Sequence, residues 1–280
     1  MNAITLTGLS KTYPTFQLGP LDLTLPMGSI MGLVGENGAG KSTTLKLILD
    51  LLRPGDGEIA ILDQPVPASY PRLKEEVGVV LEELSYPAFL TARQVGRLMA
   101  NAYRQWEPET YEGFLTRLDL PRDQAFSTLS RGMKMKLHLA VALSHGAKVL
   151  ILDEATSGLD PMVRQEILDL LYDFCDEEHA ILISSHIVSD LEKICDYIAF
   201  IHKGKLVLCE EKDLLLERYG LLKCSPQELA AIDPAVIHGK RIGTYGAEAL
   251  VDRDRVPRDL LVEKPTLEDI ILYLAKEEVR

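Results

Sequence analysis

The sequence predicts an α/β protein: a mostly parallel central sheet, an N-terminal antiparallel β subdomain, a helical insertion and a C-terminal appendage. Three observations predict it. Within residues 148–154 and 180–186, positions 149–152 and 180–183 form continuous apolar runs, the pattern of strands in a parallel sheet covered by helices on both faces. The N-terminus alternates instead, with Ile4 and Leu6 against Thr5 and Thr7, then Leu21, Leu23 and Leu25 against Asp22 and Thr24. That period of two marks half-buried, typically antiparallel strands. Between these regions residues 35–42 read GENGAGKS, which fits G-x-x-x-x-G-K-[ST] at every fixed position.

The flanks of that motif are those a phosphate-binding loop requires. An apolar strand runs over 29–34 and a helical pattern over 43–52. Gly35, Gly38 and Gly40 let the chain turn so that the N–H groups around Asn37 and Ala39 point inward at a polyphosphate. The helix start at Ser42 and Thr43 adds free amides and the positive end of its dipole. Lys41 is placed to reach the β- and γ-phosphates, and the Ser42 hydroxyl to ligand Mg²⁺. The expected ligand is a nucleoside triphosphate.

Along the chain, residues 11–14 read as a loop in which Tyr13 precedes Pro14. Tyr13 is either a surface or packing residue or, about twenty residues before the phosphate loop, a platform stacking on the base. A turn at 53–57 leads to short strands at 58–62 and 77–81. Residues from about 90 to 145 then show three helices, 91–103, 108–118 and 131–144, as an insertion. Ser130 stands at the third helix start as a plain N-cap. Alternatively, with Gly132, it forms a second anion site at a helix N-terminus.

The run 148–154 ends in Asp153 and Glu154, at the carboxyl end of a buried strand, where open α/β sheets bind ligands. Asp153 is placed to hold Mg²⁺ directly or through water, and Glu154 to orient and deprotonate an attacking water. Pro161 opens a helix to about residue 175. His186, after the next buried strand, is either incidental or a hydrogen-bond partner of the γ-phosphate. Strands at 197–201 and 205–209 flank a hairpin turn. The main domain is expected over 1–216, with 217–280 as an appendage broken by Pro226, Pro234, Pro257 and Pro265. There Thr266 and Asp269 form a variant capping box opening a last helix to about Lys276. Nothing in that appendage suggests chemistry.

Composition excludes several functions. With 280 residues and a formal charge of −12, the chain lacks the basic footprint of a general nucleic-acid binder and of a protein drawn to anionic lipid. Cys175, Cys195, Cys209 and Cys224 form no C-x-x-C pair, so free thiols in a reducing cytoplasm are expected. The N-terminus shows no secretion-signal pattern. No apolar run approaches the roughly 18–20 residues of a membrane span, so a soluble chain is expected.

Taken in order, these motifs resemble those of the ATP-binding subunits of ABC transporters, over roughly residues 1–215. GENGAGKS corresponds to Walker A, and VLILDE at 149–154 to Walker B with Glu154 at the catalytic position. Residues 157–160 (SGLD) look like the D-loop, His186 the switch histidine, and Tyr13 the A-loop aromatic. LSRGM at 129–133 falls at the signature, usually written LSGGQ. The resemblance implies ATP and Mg²⁺ as ligands and a head-to-tail homodimer or heterodimer. Each ATP then lies between Walker A of one subunit and Ser130 and Gly132 of the other. It also implies a separate transmembrane permease, docked near 82–91 and the helical insertion. The chain is then cytoplasmic, held at the inner face of the membrane only through that permease, with no nucleic-acid partner.

Four positions depart from the family pattern. Arg131 replaces the first signature glycine and Met133 the glutamine, Glu82 stands at the Q-loop glutamine, and Ala155 replaces a proline. Glu82 can still ligand Mg²⁺ while adding negative charge; a cation from Arg131 near the phosphates would offset it. The pattern of Glu82 and Glu83, LSRGM and the tail around Pro265 looks most like ATPases of bacterial exporters for peptide antibiotics and drugs. The alternatives are a non-transporter ABC ATPase of translation or DNA maintenance, or a regulatory ATPase paired with a different subunit. A single domain without a heptad array opposes the former. Glu154 and His186 oppose the latter.

Overall fold

The computed structural model describes residues 1–67, 70–83, 85–243, 246–257 and 260–277. Residue 84, within the expected docking stretch, and 244–245, 258–259 and 278–280 of the expected appendage lie outside the described residues.

The alternating N-terminal residues form an antiparallel pair, β1 (Asn2–Tyr13) and β2 (Phe16–Pro26). Leu21, Leu23 and Leu25 are buried while Asp22 and Thr24 are exposed. Tyr13 is not in a loop but closes β1, opposite Phe16. The pairing runs to the end of both strands, so the turn is only Pro14 and Thr15. Next come β3 (Ile30–Val34) and α1 (Lys41–Ile48). The helix starts two residues before the expected position and stops four residues short, where Asp50 adopts a positive φ of 52°. There the Lys46 carbonyl accepts from the amides of both Leu51 and Leu52.

β4 (Asp56–Ile61) and β5 (Gln64–Val66) complete a four-stranded sheet of order β2-β1-β4-β5. A single turn α2 (Tyr70–Leu73) precedes β6 (Val77–Val80). The insertion contains α3 (Ala92–Ala102), α4 (Pro108–Arg117) and α5 (Arg131–Ala142). Their starts follow from local chemistry: Thr91 and Gln94 close a capping box, Pro108 opens α4, and Ser130 caps α5. The stretch after β6 is anchored on this insertion by Tyr86, whose ring lies 5.5 Å from Phe126 and 5.2 Å from His138 between centroids. Burial there pushes His138 down to a pKa of about 4, so its imidazole is neutral in a neutral cell.

The second sheet contains β7 (Val149–Asp153), β8 (Ala180–Ser185), β9 (Tyr197–His202) and β10 (Lys205–Glu211), with α6 (Pro161–Phe174) and α7 (Val188–Ile194) between them. Its order is β10-β9-β3-β8-β7-β6, parallel except for the hairpin strand β10. Every residue of β3, β7 and β8 is buried, which explains their continuous apolar runs. The register pairs Val34 with Ser185 and Asp153 with Ser184. Three strand ends, and the loops that follow them, thus share one edge.

Beyond the hairpin, α8 (Lys212–Arg218) spans the expected boundary at 216/217. The rest is more ordered than its sequence suggested: β11 (Tyr219–Cys224), α9 (Pro226–Ala231), β12 (Ile237–Ile242), β13 (Ala247–Asp252), β14 (Leu261–Glu263) and α10 (Leu267–Glu277). The strands form an antiparallel sheet of order β12-β13-β11-β14. Its two faces bury different cores. Ala247, Ala249 and Val251 face a small cluster with Leu222 and Leu229. Leu250, pointing the other way, joins the main core together with Tyr219 and with Leu267 and Ile270 of α10. Thr266 and Asp269 cap α10 reciprocally, and Glu192 of α7 accepts from the Leu267 amide at 3.1 Å.

Candidate functional site

The shared sheet edge carries a cavity of about 430 Å³. The phosphate loop forms one wall, because Gly40 takes a φ of 115° to open α1. A Cβ there would come within 2.5 Å of Leu18 Cδ1, so only glycine lets the loop sit against β2. The loop is also stapled from behind. The Gly204 amide donates to the Ala39 carbonyl at 3.0 Å, and the Gly204 carbonyl accepts from the Gly19 amide at 2.7 Å.

Lys41, the first residue of α1, is 5% exposed. Its ammonium donates to the Gly35 carbonyl at 2.8 Å and lies 3.3 Å from Glu154 Oε1. Glu154 adopts a φ of 53° as the chain leaves β7, and its amide donates to the carbonyl and hydroxyl oxygens of Ser184. This fixes the carboxylate between Lys41 and His186, whose Nδ1 is 2.7 Å from Glu154 Oε2. The acid and its imidazole neighbour therefore come from the ends of adjacent strands. Asp153 is 4% exposed and accepts from the Ser184 hydroxyl.

Of the expected site residues, Asn37, Gly38, Gly40, Lys41, Ser42, Thr43, Glu82, Glu154 and His186 all stand on the cavity wall. Gly35 and Ala39 lie buried behind the loop; Asp153 sits beneath Glu154 rather than on the wall. Tyr13 is not on the wall either. Phe16 is, its ring 6.5 Å from that of Tyr13, while Tyr13 carries the Lys11 ammonium 5.8 Å above its ring. The hairpin pairing decides this, since it points Phe16 toward Gly40. Glu36 and Ser157 also line the cavity without having been singled out as site residues. For Phe16 a signal existed: it is a second aromatic three residues past Tyr13.

Ser130 and Gly132 stand away from this cavity. The Ser130 hydroxyl accepts from the Met133 amide at 3.2 Å. Gly132 is buried at α6, where a Cβ would meet Val163 Cγ1 at 3.0 Å. Arg131 turns its guanidinium onto Gly158, not toward the chain's own cavity.

A phosphate loop at the end of a parallel strand, with a buried acid held opposite its lysine, defines a nucleoside triphosphate hydrolase. Residues 18–157 match the ABC transporter family. The Nod factor export ATP-binding protein I of Sinorhizobium fredii is 32% identical over 300 residues, 99% of this chain and 87% of that protein. The bacitracin transport ATP-binding protein BcrA of Bacillus licheniformis is 33% identical over 208 residues, 73% of this chain and 68% of that one. Among solved structures, an ATP-binding subunit of an ABC transporter aligns with a TM-score of 0.68 at 28% identity, covering 76% of this chain and 91% of that chain. A dimeric cassette in a post-hydrolysis state, bound to ADP and Pi, shares the fold with a TM-score of 0.67 at 21% identity, over 74% of this chain and 98% of that chain. The chain belongs to the ABC transporter family and is an ATP-binding, ATP-hydrolysing subunit of it.

Proposed function

We propose that this subunit hydrolyses ATP to power export through a separate transmembrane permease. The observation that carries the chemistry is the Glu154 carboxylate held 3.3 Å from Lys41 and 2.7 Å from His186 on the wall of the phosphate cavity. Lys41 and the amides from Asn37 to Thr43 bind the phosphates. Glu154 accepts the proton of the attacking water, and His186 holds Glu154 through Nδ1 while Nε2 is left for the γ-phosphate. Phe16 replaces Tyr13 as the residue placed to stack on adenine. Magnesium fits the donor set: Ser42, Glu82 and, beneath them, Asp153 are hard oxygen ligands. When bound, the ion neutralises charge developing on the phosphate oxygens.

Export follows from the likeness to Nod factor and bacitracin systems, the former match running over 99% of the chain. Two subunits, identical or different, pair so that Ser130 and Gly132 of one close over the nucleotide of the other. Their position away from the chain's own cavity supports this. Among the described residues no helix is long and apolar enough to cross a membrane, in keeping with a permease on a separate chain. The subunit works at the inner face of the cell membrane. Its charge of −12 supports a protein contact over nucleic acid.

Glu154→Gln tests the chemistry. The amide keeps the shape but cannot take a proton, so turnover should fall about 10²–10⁴-fold while ATP binding persists and an ATP-bound dimer accumulates. Turnover at the parent rate removes Glu154 from the mechanism.

A further inference from the structure

We propose that Arg131, which stands where the signature pattern has its first glycine, is a positioning residue. It ties the start of α5 to the turn that follows the catalytic carboxylate. This rests on the two-subunit reading of the site given above.

The contact depends on a missing side chain. Gly158 adopts a φ of 66°, and a Cβ there would lie 2.7 Å from Arg131 Nη1 and 2.9 Å from its Cζ. The guanidinium therefore covers the open face of Gly158, a seat that any larger residue abolishes. Gly158 continues the turn that begins at Glu154, where the Ser157 amide donates to the Glu154 carbonyl at 3.1 Å. Ser157 itself lines the phosphate cavity. Arg131 in turn stands between Ser130 and Gly132. One short path thus runs within a single chain: cavity wall, Ser157, Gly158, Arg131, then the surface that serves the other nucleotide.

Two further contacts make the path stiff. Gly132 packs on Val163, and Lys136 Nζ lies 2.6 Å from Glu166 Oε2, fastening the first turns of α5 to those of α6. A planar guanidinium suits this position, because it spreads over a backbone face while keeping its donors in solvent. A shift of Ser157 on nucleotide binding is passed to Ser130 and Gly132 of the same chain. Arg131 thereby links the two ATP sites rather than contacting a phosphate.

The test compares Arg131→Gly, Gly158→Asn and the double variant in steady-state ATP hydrolysis. Asparagine tolerates a positive φ, so Gly158→Asn displaces the guanidinium without forbidding the backbone; Gly158→Asp, with the other residue that tolerates this angle, serves as a second displacement if the asparagine chain unfolds. Each single variant is expected to lower kcat about tenfold with KM within about twofold, and the double to be no worse, as for two residues acting through one contact. Losses that multiply in the double variant overturn the proposal. So does a loss in Arg131→Gly that Gly158→Asn does not share, which would place the cation on the partner's phosphates. Unchanged turnover in both singles overturns it as well. Light scattering of the Glu154→Gln chain at saturating ATP separates the two failures. A monomer sinks the shared-site reading and this inference with it, whereas a dimer with independent variants sinks the inference alone.

Discussion

At the scale of single residues, the site divides labour by what each side chain is pinned to. Lys41 and Glu154 are both under a tenth exposed, so removing Glu154 leaves the Lys41 charge buried without a counter-charge, while removing Lys41 leaves Glu154 only its contact with His186. Phe16 and Tyr13 show how geometry separates two residues that sequence treats alike. Both are aromatic and both lie near the hairpin turn, yet only Phe16 lines the cavity. Phe16→Ala should raise the KM for ATP by about tenfold, from stacking of about 1–3 kcal/mol per base, whereas Tyr13→Ala should change it less than about twofold. Steady-state kinetics on the two variants checks this. A larger effect at Tyr13 restores the expectation drawn from its place about twenty residues before the phosphate loop.

At the scale of elements, the appendage behaves as a two-sided wedge. Leu250 is fully buried in the main core while its neighbours Ala249 and Val251 face the small core behind the sheet. Leu250→Ala should cost about 2–5 kcal/mol, read as a lower midpoint in urea unfolding, although the residue lies far along the chain from any site motif. This sheet was illegible in the sequence for a physical reason. Its strands run three to six residues, and both faces of β13 are covered, so no alternation survives. By contrast β3, β7 and β8 were legible, because a parallel strand buried on both faces writes itself as an unbroken apolar run. The three helices of the insertion were legible through their helical spacing, and the third also through the cap at Ser130, whereas the capping box of Thr91 and Gln94 emerged only in the structure. At the site, the phosphate loop, Glu154 and His186 could be placed on one edge from sequence alone, since each follows such a run. The choice of Phe16 over Tyr13 could not, because it depends on cross-strand pairing and on the glycine at 40. The seat of Arg131 on Gly158 was equally hidden, for it joins residues 27 positions apart through a backbone angle.

At the scale of the whole molecule, charge points to a contact with protein rather than with lipid or nucleic acid. A chain of charge −12 is repelled by anionic lipid, with each basic group needed for attraction worth only about 1 kcal/mol near such a surface. The purified chain should therefore fail to sediment with vesicles rich in anionic phospholipid at low or high salt. Extracted gently from cells, it should instead copurify with a multi-span membrane protein. Sedimentation with bare vesicles, or recovery with ribosomes or DNA, would contradict the assignment of its membrane attachment to a permease.

The backbone staple at Gly204 has a thermodynamic consequence. Because the turn of β9 and β10 bonds both to Ala39 in the phosphate loop and to Gly19 of β2, the phosphate loop and the strand that carries Phe16, the proposed base platform, are one preorganised unit. Ordering a loose loop costs roughly 1–2 kcal/mol per residue in backbone entropy alone, and here folding has already met that cost. ATP arriving at this site has little disorder to remove. On the two-subunit reading proposed above, most of its binding free energy is then left to favour closure of one subunit upon another, the step a transporter can convert into movement.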